Sequence, residues 1–172
     1  NLKSYLIYNL NIYEKKRKKL NFFKNFKGLK ILNIGRLVEQ KDQLTLIKSL
    51  EILKEKKINF RCCIIGRGLL KEYLKKEIVK LNLNKNIKLV GFKKKAEHYL
   101  PESDIFVLSS KFEGLPNVLI ESQKYGIPII SSNCPTGPNE ILMNGKLGEL
   151  FPVGNYDALA KKLLDFYKNR KI

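Results

Sequence analysis

From Leu29 onward, short apolar runs that stop at glycine or serine alternate with longer stretches of helical spacing. Lys30-Ile31-Leu32-Asn33-Ile34 ends at Gly35, and Leu44, Ile47, Leu50, Ile52 and Leu53 then give residues 43–56 an apolar helical face. The same switch of period predicts strands at 60–65, 87–90, 105–108, 128–131 and 147–151. It predicts helices at 69–81, near 96–100, at 117–125, near 138–143 and at 156–168, the last with Asn155 as its cap. Strands this short and this continuously apolar belong to a sheet covered on both faces, each crossover helix covering one of them. The expected fold is therefore α/β: a three-layer Rossmann-like domain around a mostly parallel sheet, with ligands at the carboxyl ends of the strands. Those ends carry Gly35-Arg36, Gly66-Arg67-Gly68, Gly91-Phe92, Ser109-Ser110 and Ser131-Ser132.

With 172 residues, 44% of them apolar, the chain suits one domain with a substantial core. Residues 4–8 could add a strand, but Glu14-Lys15-Lys16-Arg17-Lys18-Lys19 is too polar for a core, so residues 1–29 read as a connector and 30–172 as the folded domain. A formal charge of +18 favours anionic partners. Only Arg17, Arg36, Arg61, Arg67 and Arg170 offer a forked donor; the other basic groups are lysines, suited to diffuse attraction. Cys62 and Cys63 are adjacent in a strand and Cys134 is remote, which argues against a disulfide framework or a thiolate zinc site and fits a reducing, cytoplasmic setting. No run reaches the roughly 18–20 apolar residues of a membrane span, and the first residues lack the order of a secretory signal.

Arg36 follows the first strand and Lys41 stands at the start of the next helix. Together they could neutralise a diphosphate, Arg36 as a fork and Lys41 as a mobile charge; a plain loop arginine and a helix-start lysine would look the same. Gly66 and Gly68 permit a turn whose amides could face a phosphate, or simply end a strand. The dinucleotide spacing Gly-x-Gly-x-x-Gly fails at Lys71, and no phosphate-loop lysine with serine or threonine follows, which counts against dehydrogenases and kinases. The densest segment runs from Ser109 to Ser122. Gly114 and Pro116 should bend a loop into a helix that Asn117 could cap, with Glu121 one turn inside and Glu113 reaching from the loop. Carboxylate and phosphate repel, so these acids suit sugar hydroxyls or a cationic transition state; alternatively Glu113 is solvated and Glu121 is an ordinary first-turn charge.

Ile34-Gly35-Arg36-Leu37 with Lys41-Asp42, Ile65-Gly66-Arg67-Gly68, Val90-Gly91-Phe92 and Glu113-Gly114-Leu115-Pro116-Asn117 through Glu121 resemble one known pattern. It is that of the C-terminal, nucleotide-sugar-binding half of retaining glycosyltransferases of family four, which have the two-domain GT-B architecture. The resemblance covers most of residues 30–168, and the two glutamates eight positions apart are its most specific mark. It implies that Arg36 and Lys41 bind the donor diphosphate, that Glu113 addresses the transferred sugar and that Glu121 binds the nucleotide ribose. Leu115, Pro116, Asn117 and Val118 would set the loop and helix start against donor groups. It also implies transfer from a nucleoside diphosphate sugar with retention at the anomeric carbon and without a required metal or other cofactor. Cys134-Pro135-Thr136-Gly137-Pro138-Asn139-Glu140-Ile141 extends the resemblance toward enzymes that build bacterial glycans, or lipid-linked glycans, from UDP-N-acetylhexosamines. An N-terminal acceptor domain is then expected to be absent from this chain, which alone should transfer sugar poorly.

His98, the sole histidine, has neither neighbouring metal ligands nor a nucleophile partner in the sequence. Lys15, Lys16, Arg17, Lys18 and Lys19, with Lys93, Lys94 and Lys95, could draw the domain to an anionic membrane face, or only keep it soluble. A basic nucleic-acid-binding domain and a noncatalytic interaction domain are the alternatives. Few arginines and no aromatic recognition motif weigh against nucleic acid.

Overall fold

A computed structural model describes residues 17–169; the strand expected at 4–8 lies outside the described residues. One sheet contains β1 (Leu29–Ile34), β2 (Phe60–Ile65), β3 (Ile87–Gly91), β4 (Ile105–Leu108), β5 (Ile129–Ser132) and β6 (Glu149–Phe151). Every pair is parallel, in the order β3-β2-β1-β4-β5-β6. The helices are α1 (Gln43–Glu55), α2 (Lys71–Lys80), α3 (Asn117–Lys124), α4 (Pro138–Ile141) and α5 (Tyr156–Asn169), with 3-10 turns at Asn21–Phe23, Glu39–Lys41 and Ala96–Glu102. Among the described residues no helix is long and apolar enough to cross a membrane.

Alternation along each strand builds two cores. Ile31, Cys62, Val107 and Ile130 face α1, α2 and α5; their neighbours Leu32, Cys63, Phe106 and Ile129 face α3, α4 and the two outer 3-10 turns. The adjacent cysteines therefore point to opposite faces and cannot bridge. Burial pushes both thiols up, Cys63 to about 12, so they pack as small apolar groups.

Several element ends follow directly from local chemistry. The Asn155 side-chain oxygen accepts a 2.9 Å hydrogen bond from the Ala158 amide, as expected of the cap on α5. The helix expected near 96–100 is a 3-10 turn instead, with Pro101 inside it; a proline lacks the amide a continuing α-helix needs. The packed body also starts earlier than residue 30. Leu20 and Phe23 are buried in the second core. Arg61 on β2 donates to the Phe22 carbonyl at 2.7 Å and lies over the Phe22 and Phe26 rings at 5.0 and 4.5 Å.

Strand order reverses between β1 and β4, which pair only through Ile31–Ile105 and Leu32–Phe106. Beyond that point the side chain of Asn33 spans the gap, donating to the Val107 carbonyl at 2.9 Å. Connections leave the two strands on different sides, opening a crevice at their carboxyl ends. Beside it, the turn after β2 lies against the loop after β1. The amide of Leu37 donates to the Arg67 carbonyl and the amide of Leu70 to the Leu37 carbonyl, both at 3.0 Å. A side chain at Gly66 would run into the Gly35 carbonyl, whereas one at Gly114 would meet nothing within 4 Å. Gly66→Ala should cost about 2 kcal/mol, lowering Tm by roughly 4–8 °C. Gly114→Ala should stay within about 0.5 kcal/mol of the native chain. Thermal unfolding of the two variants checks this, and equal Tm values would contradict it.

Candidate functional site

Two loops meet over the crevice, one following β1 and the other following β4. The Lys111 amide donates to the Gln40 carbonyl at 2.8 Å, and Ser109 Oγ to the Lys41 carbonyl at 3.0 Å. Their joining brings charges together. Lys41 Nζ lies 2.5 Å from Glu113 Oε1, with the two side chains only 16% and 6% exposed. The same Glu113 oxygen accepts from Ser110 Oγ at 2.6 Å. Gln40 connects this pair to Arg36: its Oε1 accepts from Arg36 Nη2 at 3.2 Å, and its Nε2 donates to the Phe112 carbonyl at 3.0 Å. Gln43 holds the Arg36 carbonyl from below at 2.9 Å. Arg36, Lys41 and Glu113, three of the residues singled out by sequence, thus share one mouth.

A third loop braces the second. Ser132 Oγ, at the end of β5, donates to the Ser110 carbonyl at 2.6 Å, and Thr136 Oγ1 donates to the Glu113 carbonyl. Gly137 has φ +80, and a side chain there would collide with the Gly114 carbonyl and Pro116. Cys134 is buried beneath this contact; desolvation raises its thiol pKa, against a hydrogen bond with Ser132.

The remaining expected site residues are placed differently. Asn117 does not cap α3: it is the first helical residue, Pro116 holds the cap position, and no side chain caps the end. Pro116 is buried, Leu115 is 48% exposed and Val118 is partly buried against the second core. Gly66 and Gly68 serve close packing against Gly35 and Leu37, and the Gly66 amide is already bonded to the Gly91 carbonyl at 3.0 Å. Glu121 lies one turn into α3 and half buried, on an element packed against the Ala96–Glu102 turn. Burial raises its carboxyl pKa, Glu97 adds to the effect and Lys124 opposes it. Gln40 was not singled out by any motif; the only signal was its position four residues after Arg36. Among the described residues no three His, Cys, Asp or Glu side chains come together as a metal-ligand set.

Residues 13–172 match the family model described as glycosyl transferases group 1, and the chain belongs to that family. It is 46% identical over 122 residues to an uncharacterised glycosyltransferase of Methanocaldococcus jannaschii, covering 71% of this chain and 30% of that protein. It is 30% identical over 142 residues to the N-acetylgalactosamine-N,N'-diacetylbacillosaminyl-diphospho-undecaprenol 4-alpha-N-acetylgalactosaminyltransferase of Campylobacter jejuni, covering 83% and 38%. Among solved structures, a S. aureus TarM mutant crystallised with fondaparinux, alpha-GlcNAc-glycerol and UDP superposes with a TM-score of 0.78. Its identity is 26%, over 85% of this chain and 30% of that one. The Rossmann-like fold is thus one found in GT-B glycosyltransferases. This chain spans about a third of the length of the curated relatives it matches.

Because the folded state raises the Glu121 pKa, ionising this group opposes folding: its contribution is fully present below the ordinary carboxyl value and lost as pH rises through the raised one. Glu121→Gln should therefore be more stable than the native chain near neutral pH, by less than about 1 kcal/mol given partial solvent screening. The gain should vanish in acid. Thermal unfolding across pH tests this; a variant less stable than the native chain at neutral pH would contradict it.

Proposed function

We propose that this chain is the donor-binding half of a retaining glycosyltransferase that transfers an N-acetylhexosamine from a UDP-sugar to a glycan or lipid-linked glycan acceptor. The observation that carries the reading is the convergence of Arg36, Lys41 and Glu113 at the strand-order reversal. A diphosphate there would find one forked and one mobile cation. The Glu113 Oε2 atom, with no hydrogen bond among the described residues, is the oxygen left for a sugar hydroxyl. Glu121, set apart on α3, suits the ribose hydroxyls. The UDP and alpha-GlcNAc-glycerol bound by the TarM mutant and the N-acetylgalactosaminyl transfer named for the Campylobacter relative support the donor class.

In this mechanism Arg36 and Lys41 stabilise the negative charge that builds on the diphosphate as its bond to the anomeric carbon breaks. Glu113, relieved of Lys41, offers its charge to the oxocarbenium-like sugar. An acceptor hydroxyl attacks the face the diphosphate leaves, and its proton passes to the departing phosphate oxygen, so the configuration is retained. The two cations replace a metal in this reading. Acceptor orientation and closure of the cleft come from outside the described residues, so the isolated chain should bind donor yet transfer slowly.

Proton and phosphorus NMR titrations with UDP and UDP-N-acetylhexosamines test the assignments. Arg36→Ala and Lys41→Ala should weaken UDP binding by about 10-fold to 100-fold each, the range expected for a lost charge-assisted hydrogen bond. Glu113→Ala, which frees Lys41, should leave UDP binding equal or tighter but lose the added affinity of the sugar, and Glu121→Ala should lose discrimination for the ribose. Unchanged binding in all four variants would overturn the reading.

A further inference from the structure

On the opposite edge of the sheet from β6, three lysines converge on a cleft of about 270 Å³. Lys88 and Val90 leave β3 two residues apart and so face the same side, and Lys93 follows the turn at Gly91. Lys19 and Phe22 close the cleft from the N-terminal segment, and Tyr99 closes it from the Ala96–Glu102 turn. Two lysine runs far apart in sequence are joined here. The Lys18 amide donates to the His98 carbonyl at 2.9 Å, its ammonium reaches the Lys94 carbonyl at 3.5 Å and lies 5.8 Å from the Tyr99 ring centroid. No carboxylate lines the cleft. Three like charges around one cleft repel one another, and an anion entering it would relieve all three at once.

We propose that this cleft is a second anion site, which takes a phosphate group and is separate from the Arg36–Lys41–Glu113 mouth. No lining residue is shared, and β2 and β1 lie between β3 and the crevice. Lysines bind phosphate as point charges without the planar geometry of arginine, so the site selects for charge and size. A cleft of this size, small beside the roughly 300–1,000 Å³ of pockets for drug-sized ligands, suits a phosphate head. The same chemistry is presented by a phospholipid headgroup and by a free phosphate ester or inorganic phosphate.

Amide NMR of the chain titrated with inorganic phosphate tests the site, alongside co-sedimentation with vesicles of phosphatidylcholine alone or mixed with phosphatidylglycerol. Saturable shifts at Lys19, Lys88, Lys93 and Tyr99 are expected. The variant Lys19→Gln/Lys88→Gln/Lys93→Gln should weaken them by about tenfold or more, while the dispersion of its remaining amides shows that it folds. Sedimentation with phosphatidylglycerol vesicles that the variant loses would identify the lipid source, and phosphate saturation without sedimentation the soluble one. Shifts spread over lysines generally without saturation, or a variant that titrates like the native chain, would overturn the proposal. Failure of UDP to bind would count against the donor reading and leave this site standing.

Discussion

The bond between Lys41 and Glu113 is the contact around which the crevice is organised. A carboxylate as enclosed as Glu113 is costly unless a cation and hydrogen bonds answer it. Lys41 and Ser110 supply both, and they come from different loops. The ion pair therefore fastens the loop after β1 to the loop after β4, across the place where the strand order reverses. In the proposed reaction the same pair becomes an exchange. A diphosphate competes for Lys41, and Glu113 becomes more anionic toward its surroundings when a sugar with growing positive charge needs it.

The core is unusually polar under this point. Asn33 and Gln43 are fully or almost fully buried, and each has one amide oxygen without a hydrogen-bond partner. Their other amide ends hold the Val107 and Arg36 carbonyls. Apolar residues would satisfy the interior better, but they could not hold those two carbonyls where the sheet parts. The departure from ordinary core composition falls where the site is built, as expected when local rules yield to function.

The layered fold was legible because its central strands lack a solvent face: a continuous apolar run such as Ile105–Leu108, buried at every position, has one arrangement that covers both sides. Asn155 was legible for a similar reason, since a cap acts within three residues of its own position. What escaped depends on contacts between distant segments. Leu20 and Phe23 follow a lysine run that masks them, and only the tertiary fold brings Phe22 to Arg61. Gln40 joins residues 36 and 112, so no local spacing marks it. Gly66 reads as a phosphate turn in isolation; that it makes room for the Gly35 carbonyl is a fact about two loops. The Glu113 and Glu121 spacing was visible, but sequence did not reveal that Lys41 occupies Glu113 directly.

The most direct measurement is the position of the Lys41 ammonium in a crystal structure of this chain with UDP bound. If diphosphate and Glu113 compete for that cation, Lys41 will have left Glu113 for a phosphate oxygen, with Arg36 on the same diphosphate. A complex in which Lys41 stays on Glu113 while the diphosphate lies elsewhere would contradict this mechanism.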